Sequence, residues 1–407
     1  MKILAIETSC DDTGIAILEV SKTGGFSAQG GPASGWNVLS NIISSQIKVH
    51  KKYGGVYPML AKREHQKNLV PVFKKALKEA KLLKNQKAKK NQKAKSKNVK
   101  SILEREPELY KKTLPFLKKY EKPDVDLISV TNGPGLEPCL WVGVNFAKAL
   151  SYFWNIQIVP ANHIESHILV NFMEHKTWNI KQIFPAVCLV VSGGHTQLIL
   201  MRGIGKYKIL GETRDDAAGE CFDKCAKILG LGYPGGPAIA KLADTRCLSL
   251  DRHRVSIQLP RPMINTKDYD FSFSGLKTAV LYADRKIKNK TKKYKERMAT
   301  EVQQAVIDVL LKKTIKAAKD FKAKTIILGG GVSANEELRR QLKQKIQKEI
   351  PDTKCLIPDT VLSTDNALMT AITGFYHRNK KQAWQKIKAK ANLRIEKKPS
   401  EPFGSTA

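Results

Sequence analysis

At 407 residues the chain can bury a sizeable core and divide into two domains or lobes. Its formal net charge of +34 attracts phosphate-rich polymers or acidic surfaces, unless a basic tail or insertion carries the excess without a partner. Seven scattered cysteines argue against a disulfide-stapled secreted domain and for a reducing cytoplasm, and neither a signal peptide nor an apolar run of about 18 residues is found, so no membrane span is expected.

"KILAIE" at 2–7 predicts a buried strand, "TSCDDTG" at 8–14 a polar turn, and "IAILEV" at 15–20 a second strand. "GGFSAQGGPASG" at 24–35 is a Gly-rich loop, and "LVPVFKKALKEAKLL" at 69–83 has helical apolar spacing. Residues 81–100 carry many lysines and no acid, which predicts a solvated or loosely helical insertion, or an arm that touches nucleic acid. "DLISVTNGPGL" at 126–136 returns to strand and Gly-turn. "PAVCLVVSGGHTQLILM" at 185–201 is again strand, polar turn, strand. It mirrors the N-terminal unit and predicts two related lobes. "TIILGGGVSANEELRRQL" at 325–342 reads as strand, Gly-turn, helix. The basic tail from 381, ending in Pro, Gly and Ser, is expected to be flexible.

Two features carry candidate chemistry. In "ANHIESHILV" at 161–170, His163 and His167 stand four apart, on one face of a helix. They read either as two ligands of one Zn or Fe ion or as two histidines that share a face by chance. A zinc peptidase needs H-E-x-x-H; here Glu165 falls on another face, poorly placed as a general base. Cys221 and Cys225 of "CFDKC" have helical spacing too, but no second cysteine pair accompanies them. The second feature is the set of Gly-rich turns after strands: "NGPGL", "SGGHT" and "GGGVSAN". Glycines let backbone approach a ligand, and a following helix offers free N–H groups to a phosphate. Three such turns and a duplicated strand unit point to a nucleotide cleft between lobes. Neither G-x-G-x-x-G after a strand nor a P-loop is present.

With these residues the chain resembles the tRNA N6-adenosine threonylcarbamoyltransferases, bacterial relatives of the KEOPS-complex catalytic subunit. The matching motifs are "AIETSCDDTGIA" at 5–16, "YGGVYP" at 53–58, "NGPGL" at 132–136, "NHIESH" at 162–167 and "LVVSGGHTQLIL" at 189–200. "DDAAGECFDKCAKILGLGYPGG" at 215–236, "FSFSGLKTA" at 271–279, "LGGGVSANEELR" at 328–339 and "STDNALM" at 363–369 complete them. Met59 stands where relatives usually have Glu, while Arg63 and His65 are kept; Asp12 replaces a usual Glu. The insertion near 81–121 and the loop near 24–35 are longer than usual.

The resemblance implies an α/β, two-lobed actin/sugar-kinase/Hsp70-like fold around a nucleotide cleft. It divides the chain into an N-terminal lobe at 1–160, a C-terminal lobe at 161–380 with the metal and adenylate site, and the tail at 381–407. It implies transfer of a threonylcarbamoyl group from threonylcarbamoyl-AMP to N6 of adenosine 37, in tRNAs reading codons that begin with A. It implies one divalent metal ion per subunit, Fe(2+) ahead of Zn(2+), with His163, His167 and Asp365 as ligands. Ser192, Gly193, Gly194, His195, Thr196, Asp223, Gly236 and Asn335 match positions that hold the adenylate. Asp11 and Asp12 fall on the turn that faces the cleft in this fold. One of them could accept the N6 proton, or both could orient water, metal or tRNA. A same-fold paralogous partner and a small ATPase are implied as helpers. The alternatives are a zinc-dependent endopeptidase, an ATP-dependent small-molecule kinase of the same fold, and a non-catalytic tRNA-binding subunit.

Overall fold

The computed structural model describes residues 1–21, 35–86, 93–173, 182–243 and 257–396. Among these residues ten strands form two sheets of five. The first contains β1 (Lys2–Glu7), β2 (Asp12–Val20), β3 (Trp36–Ser45), β4 (Leu127–Gly133) and β5 (Ile158–Asn162), in the order β3-β2-β1-β4-β5. The second contains β6 (Ala186–Val191), β7 (Thr196–Gly203), β8 (Lys206–Glu212), β9 (Thr325–Gly329) and β10 (Lys354–Leu356), in the order β10-β9-β6-β7-β8. Read from the other edge, the second order repeats the first. In each sheet three strands form an antiparallel meander and two more join in parallel. The mirrored strand–turn–strand segments of the sequence are the centres of these two sheets.

Both central strands are buried on two faces, so they read as continuous apolar runs. Period-two alternation still sorts their side chains. Leu4 and Ile6 join one core, with α1 (Pro58–Glu79), α2 (Lys93–Ile102), α3 (Pro107–Lys119) and α4 (Glu137–Trp154). Val187, Leu189 and Val191 join another, with α6 (Ala218–Ile228), α7 (Gly235–Leu242), α8 (Ser274–Lys286), α9 (Lys292–Asp320) and α10 (Glu336–Glu349). Between the sheets, Ile3 and Ala5 meet Ala186, Cys188 and Val190 around two helices, α5 (His163–Leu169) and α11 (Ala367–Tyr376). The layers therefore run helix, sheet, helix, sheet, helix. The expected boundary at 160 falls inside β5, two residues before the sheet gives way to α5, and α11 returns from the C-terminal part of the chain to pack on β1 and β2.

One expectation is narrowed and one changes. Of the readings for the lysine-rich segment, the helical one holds over 93–100, the start of α2. Val99 and Leu103, four apart, give it an apolar edge that is fully buried. Lys95 Nζ donates to the Phe153 carbonyl at 3.0 Å and Asn98 to Tyr152 Oη at 2.6 Å, fastening it to the end of α4. The tail, expected to be flexible, is a bonded strap over 381–396. Gln382 pairs with Ile158, Ile387 is buried, and Trp384 packs edge-on against Tyr152. Lys390 N donates to Asn132 O at 2.7 Å, and Arg394 then reaches Glu212 of the second sheet at 3.1 Å. Residues 24–34 of the Gly-rich loop, 87–92 of the lysine stretch and the 397–407 end of the tail lie outside the described residues.

Candidate metal centre and nucleotide cleft

Helix α5 is short and wholly buried. Its start is fixed by Asn162, whose Oδ1 accepts from Ile164 N at 2.9 Å and Glu165 N at 3.1 Å. One turn apart, the His163 and His167 rings stand 4.7 Å apart, at 82° to each other. Asp365 arrives from far along the chain, just before α11, whose cap Asn366 accepts from Met369 N at 3.1 Å. Its Oδ1 lies 3.2 Å from His167 Nε2 and 3.6 Å from His163 Nε2. One ligand atom from each residue falls within 4.8 Å of the others; among the described residues no other group of three or more His, Cys, Asp or Glu side chains does so.

Behind the triad lies a carboxylate that the sequence reading missed. Glu7, at the end of β1, is 0 % exposed. Its Oε1 accepts from Ser9 N at 2.7 Å, and its Oε2 from Thr131 Oγ1 at 2.5 Å and Thr370 Oγ1 at 3.2 Å. His163 Nδ1 faces Ser9 Oγ at 3.2 Å and Glu7 Oε2 at 3.5 Å. With Nδ1 so engaged, Nε2 is left toward Asp365, the arrangement by which metal-binding histidines are oriented. Burial works against ionisation here, yet the His163 imidazole holds Glu7 below its ordinary range. Asp365 is also held low against burial, by His163 and then His167. Burial alone would lower His163, but Asp365 and Glu7 raise it to about 9. Two imidazoles and one carboxylate form a donor set suited to a first-row divalent ion, and the residues present fit one.

Asp11 closes the turn between β1 and β2, and Asp12 opens β2. Burial raises both carboxyls, with Asp365 adding to the shift of Asp11. Asp12 is pushed up to about 7; a Ser45 hydrogen bond opposes this and Asp11 reinforces it. The Asp12 Oδ1 atom is buried without a hydrogen-bond partner among the described residues. His65 of α1 pins this turn from below, with Nε2 2.9 Å from Cys10 O and Nδ1 2.8 Å from Thr13 Oγ1. Burial drives its pKa down to about 4, so it is a neutral ring that bridges the two partners.

The equivalent turn of the second sheet is "SGGHT". Ser192 N donates to His195 O at 2.8 Å and His195 N to Ser192 Oγ at 3.1 Å, closing the loop. Gly193 and Gly194 are exposed, and a Cβ on either would meet nothing within 4 Å. Thr196 is buried, and its Oγ1 accepts from Ala218 N at 2.9 Å, at the start of α6. Helix and loop approach so closely that a Cβ on Gly219 would lie 2.6 Å from Ser192 O. His195 lies near the triad: burial, then the His163 and His167 rings, lower it to about 4.

Further along α6, Asp223 Oδ1 accepts from Gly235 N at 2.6 Å. Burial raises Asp223 to about 6, against that hydrogen bond. Next to Gly235, Gly236 has open space on its Cβ side. Burial, then Asp11 and Asp223, raise the neighbouring Tyr233 hydroxyl. Asn335 caps α10, accepting from Leu338 N at 2.9 Å and donating to Gln303 Oε1 at 2.8 Å.

The turn "NGPGL" differs from the expectation of an open nucleotide loop. A Cβ on Gly135, at φ +155°, would lie 2.6 Å from Ser9 O, and one on Gly133 would collide with Lys390 O. This turn is packed shut and braces Ser9. Glu165 points away from the triad as its spacing requires: Tyr207 Oη donates to it at 2.8 Å and His377 Nε2 lies 2.8 Å away. It is not positioned as the base of a zinc peptidase. The Cys221 and Cys225 sulfurs are 3.9 Å apart, but both are buried in the outer core of the second lobe.

Residues 37–88 and 105–372 match the profile of the family described as tRNA N6-adenosine threonylcarbamoyltransferase. The chain belongs to this family. A member from Persephonella marina is 41% identical over 403 residues, spanning 98% of this chain and 96% of its own. One from Thermosipho melanesiensis is 43% identical over 375 residues, spanning 92% and 94%. Both bear the family's name. Among solved structures, full-length HypF in a phosphate- and nucleotide-bound form aligns with a TM-score of 0.50 at 11% identity, over 94% of this chain and 47% of that one. At that identity the likeness speaks for the fold alone, the actin/sugar-kinase/Hsp70-like α/β architecture. The family profile leaves 89–104 unmatched, the segment that holds α2.

If His65 holds the acidic turn, His65→Ala leaves two buried polar groups unpaired and costs about 1–3 kcal/mol. Denaturant unfolding is expected to register that loss, and Cys10 is expected to be alkylated faster by iodoacetamide. Unchanged stability and alkylation would show that the turn holds without His65.

Proposed function

We propose that the chain transfers a threonylcarbamoyl group from threonylcarbamoyl-AMP to N6 of adenosine 37 in tRNAs that read codons beginning with A. The observation that carries this reading is the convergence of His163, His167 and Asp365 beside the acidic β1–β2 turn, in a member of this family. A divalent ion held by those three residues, iron ahead of zinc, would supply Lewis acidity toward the carbamoyl carbonyl or hold the threonyl carboxylate. The remaining work falls to the chain. The exposed backbone of Gly193 and Gly194 and the open side of Gly236 let the adenylate phosphate and ribose approach. Asp223, once ionised, accepts from ribose hydroxyls. N6 attacks the carbamoyl carbon, the bond from that carbon to the phosphate oxygen breaks, and AMP leaves. Asp12, with a pKa of about 7, can accept the N6 proton near neutral pH. No covalent enzyme intermediate is needed, because AMP is already a good leaving group.

The charge of +34 supports a phosphate-rich substrate, and exposed lysines such as Lys97 and Lys100 of α2 add sequence-independent affinity. The family resemblance adds a same-fold partner and a small ATPase to the reaction. Six described cysteines are free, which suits a cytoplasmic setting, and no described helix is long and apolar enough to cross a membrane.

The direct test is mass spectrometry of tRNA nucleosides after incubation with threonine, bicarbonate, ATP, an adenylate-forming enzyme and this protein, with and without the same-fold partner and the small ATPase. Threonylcarbamoyladenosine is expected; its absence with an active adenylate supply and both helpers present rejects the reading.

His163→Ala and His167→Ala are each expected to drop bound metal from roughly one ion per chain to near zero, with the circular dichroism of the fold kept. Elemental analysis of the purified proteins decides, and full occupancy in both would overturn the ligand assignment.

A pH dependence follows from Asp223. Its folded pKa is raised to about 6, so the carboxylate that accepts from ribose is present above that pH and lost as pH falls through it. Adenosine, measured by calorimetry, is therefore expected to bind more weakly at pH 5 than at pH 7.5. Asp223→Asn is expected to bind about 10-fold or more weakly at pH 7.5 and to lose most of the pH effect. A wild-type affinity that is flat between these pH values would remove Asp223 from the ribose site.

A further inference from the structure

The segment between β3 and α1 presents an unusual surface. Large apolar side chains are mostly buried in this protein, yet Tyr53 is 51% exposed, Tyr57 59% and Met59 53%. The two tyrosine rings lie 6.1 Å apart and 29° from parallel, a stacked pair. Lysines surround them. Lys48, Lys51 and Lys52 are exposed, and Lys52 Nζ stands 5.0 Å from the centre of the Tyr53 ring. No acidic residue occurs between 46 and 63.

This surface adjoins the cleft on both sides. Tyr57 N donates to His50 Nδ1 at 3.3 Å, His50 Nε2 lies 3.1 Å from Gln46 Oε1, and Gln46 N donates to Asp11 O at 3.2 Å. The backbone at Tyr57 is thus tied by a short chain of hydrogen bonds to the turn proposed to receive the N6 proton. From the other lobe the Lys227 side chain reaches within 3.6 Å of where a Cβ on Gly54 would lie. Lys227 and Asp223 share one face of α6. The aromatic pair therefore borders the mouth of the cleft, beside the acidic turn and below the helix that carries Asp223.

We infer that Tyr53 and Tyr57 form a stacking platform for an unpaired base of the tRNA anticodon loop next to the target adenosine, with Lys48, Lys51 and Lys52 along the adjoining phosphates. The reasoning is chemical. An adenosine whose N6 must reach a recessed site has to leave the loop stack, and its neighbours lose a stacking surface when it does. Exposed aromatic rings beside cations supply one, and every base has a π-face to offer. A protein partner is the other class of occupant for an exposed apolar patch, but protein interfaces are depleted in lysine, and this patch is ringed by three. The inference rests on the transfer reading above for the identity of the RNA.

The test uses an anticodon stem–loop carrying 2-aminopurine beside the target adenosine, and full tRNA for turnover. Wild-type protein is expected to quench the probe on binding. Tyr53→Ala/Tyr57→Ala is expected to weaken binding about 5- to 150-fold, lose the quench and raise KM for tRNA, with kcat at saturating tRNA kept. Tyr53→Phe/Tyr57→Phe is expected to behave as wild type, because the ring face and not the hydroxyl does the stacking. Wild-type affinity and quench in the alanine variant would overturn the platform. So would a phenylalanine variant that falls as far as the alanine one. If RNA binding persists while self-association or binding of a same-fold partner is lost, the surface belongs to a protein contact and the inference fails. Quenching needs no turnover, so a wild-type chain that stacks the probe but modifies no tRNA would retain the platform and reject the transfer reading.

Discussion

A carboxylate with no access to water is tolerable only when its oxygens are met by donors. Glu7 is such a group, and its donors come from everywhere the site is built. Ser9 belongs to the first turn, Thr131 to β4, Thr370 to α11 and His163 to α5. Satisfying one buried charge thus fixes where four elements stand relative to one another. The triad inherits that geometry, because α5 brings both histidines and the start of α11 brings Asp365. Removing the charge would relax a knot that spans the central layer of the molecule.

The two lobes repeat one topology but divide the chemistry. The central hairpin of the first sheet ends in an acidic turn, Asp11 and Asp12, half-buried and braced by His65. The central hairpin of the second ends in exposed glycines that leave backbone open to a ligand. One turn presents two carboxyls whose ionisation burial opposes; the other presents backbone with open space beside it. A duplicated scaffold supplies the symmetry of position, and sequence differences at two turns supply the asymmetry of function.

Much of this was legible from sequence because it depends on local pattern. The strand–turn–strand units at 2–20 and 185–201 fix the two hairpins, and i,i+4 spacing puts His163 and His167 on one face. The parts that escaped depend on partners far along the chain. Glu7 looked like the end of an apolar strand; a charge closing "KILAIE" was the available signal, but its donors lie 124 and 363 residues away. "NGPGL" had the composition of an open loop, and what closes it is the strap at 390, invisible to local reading. The same strap explains why a lysine-rich tail is ordered: its composition suggested solvation, while Ile387 and the backbone bonds to Asn132 and Gly135 secure it. For α2, two apolar residues among many lysines sufficed to choose helix over loop.

The span between His167 and Asp365 has a consequence for how the enzyme is born. The two are 198 residues apart, with the whole second sheet in between. At a translation rate of about 5–20 residues per second, a ribosome needs roughly 10–40 seconds to pass from one to the other. During that interval the nascent chain carries a histidine pair without its carboxylate and a first sheet without the helix that covers its inner face. The strap that closes "NGPGL" emerges later still. The His163–His167–Asp365 cluster is therefore among the last parts of the molecule to be finished, and a ribosome that stalls before 365 releases a chain with both histidines and no carboxylate between them.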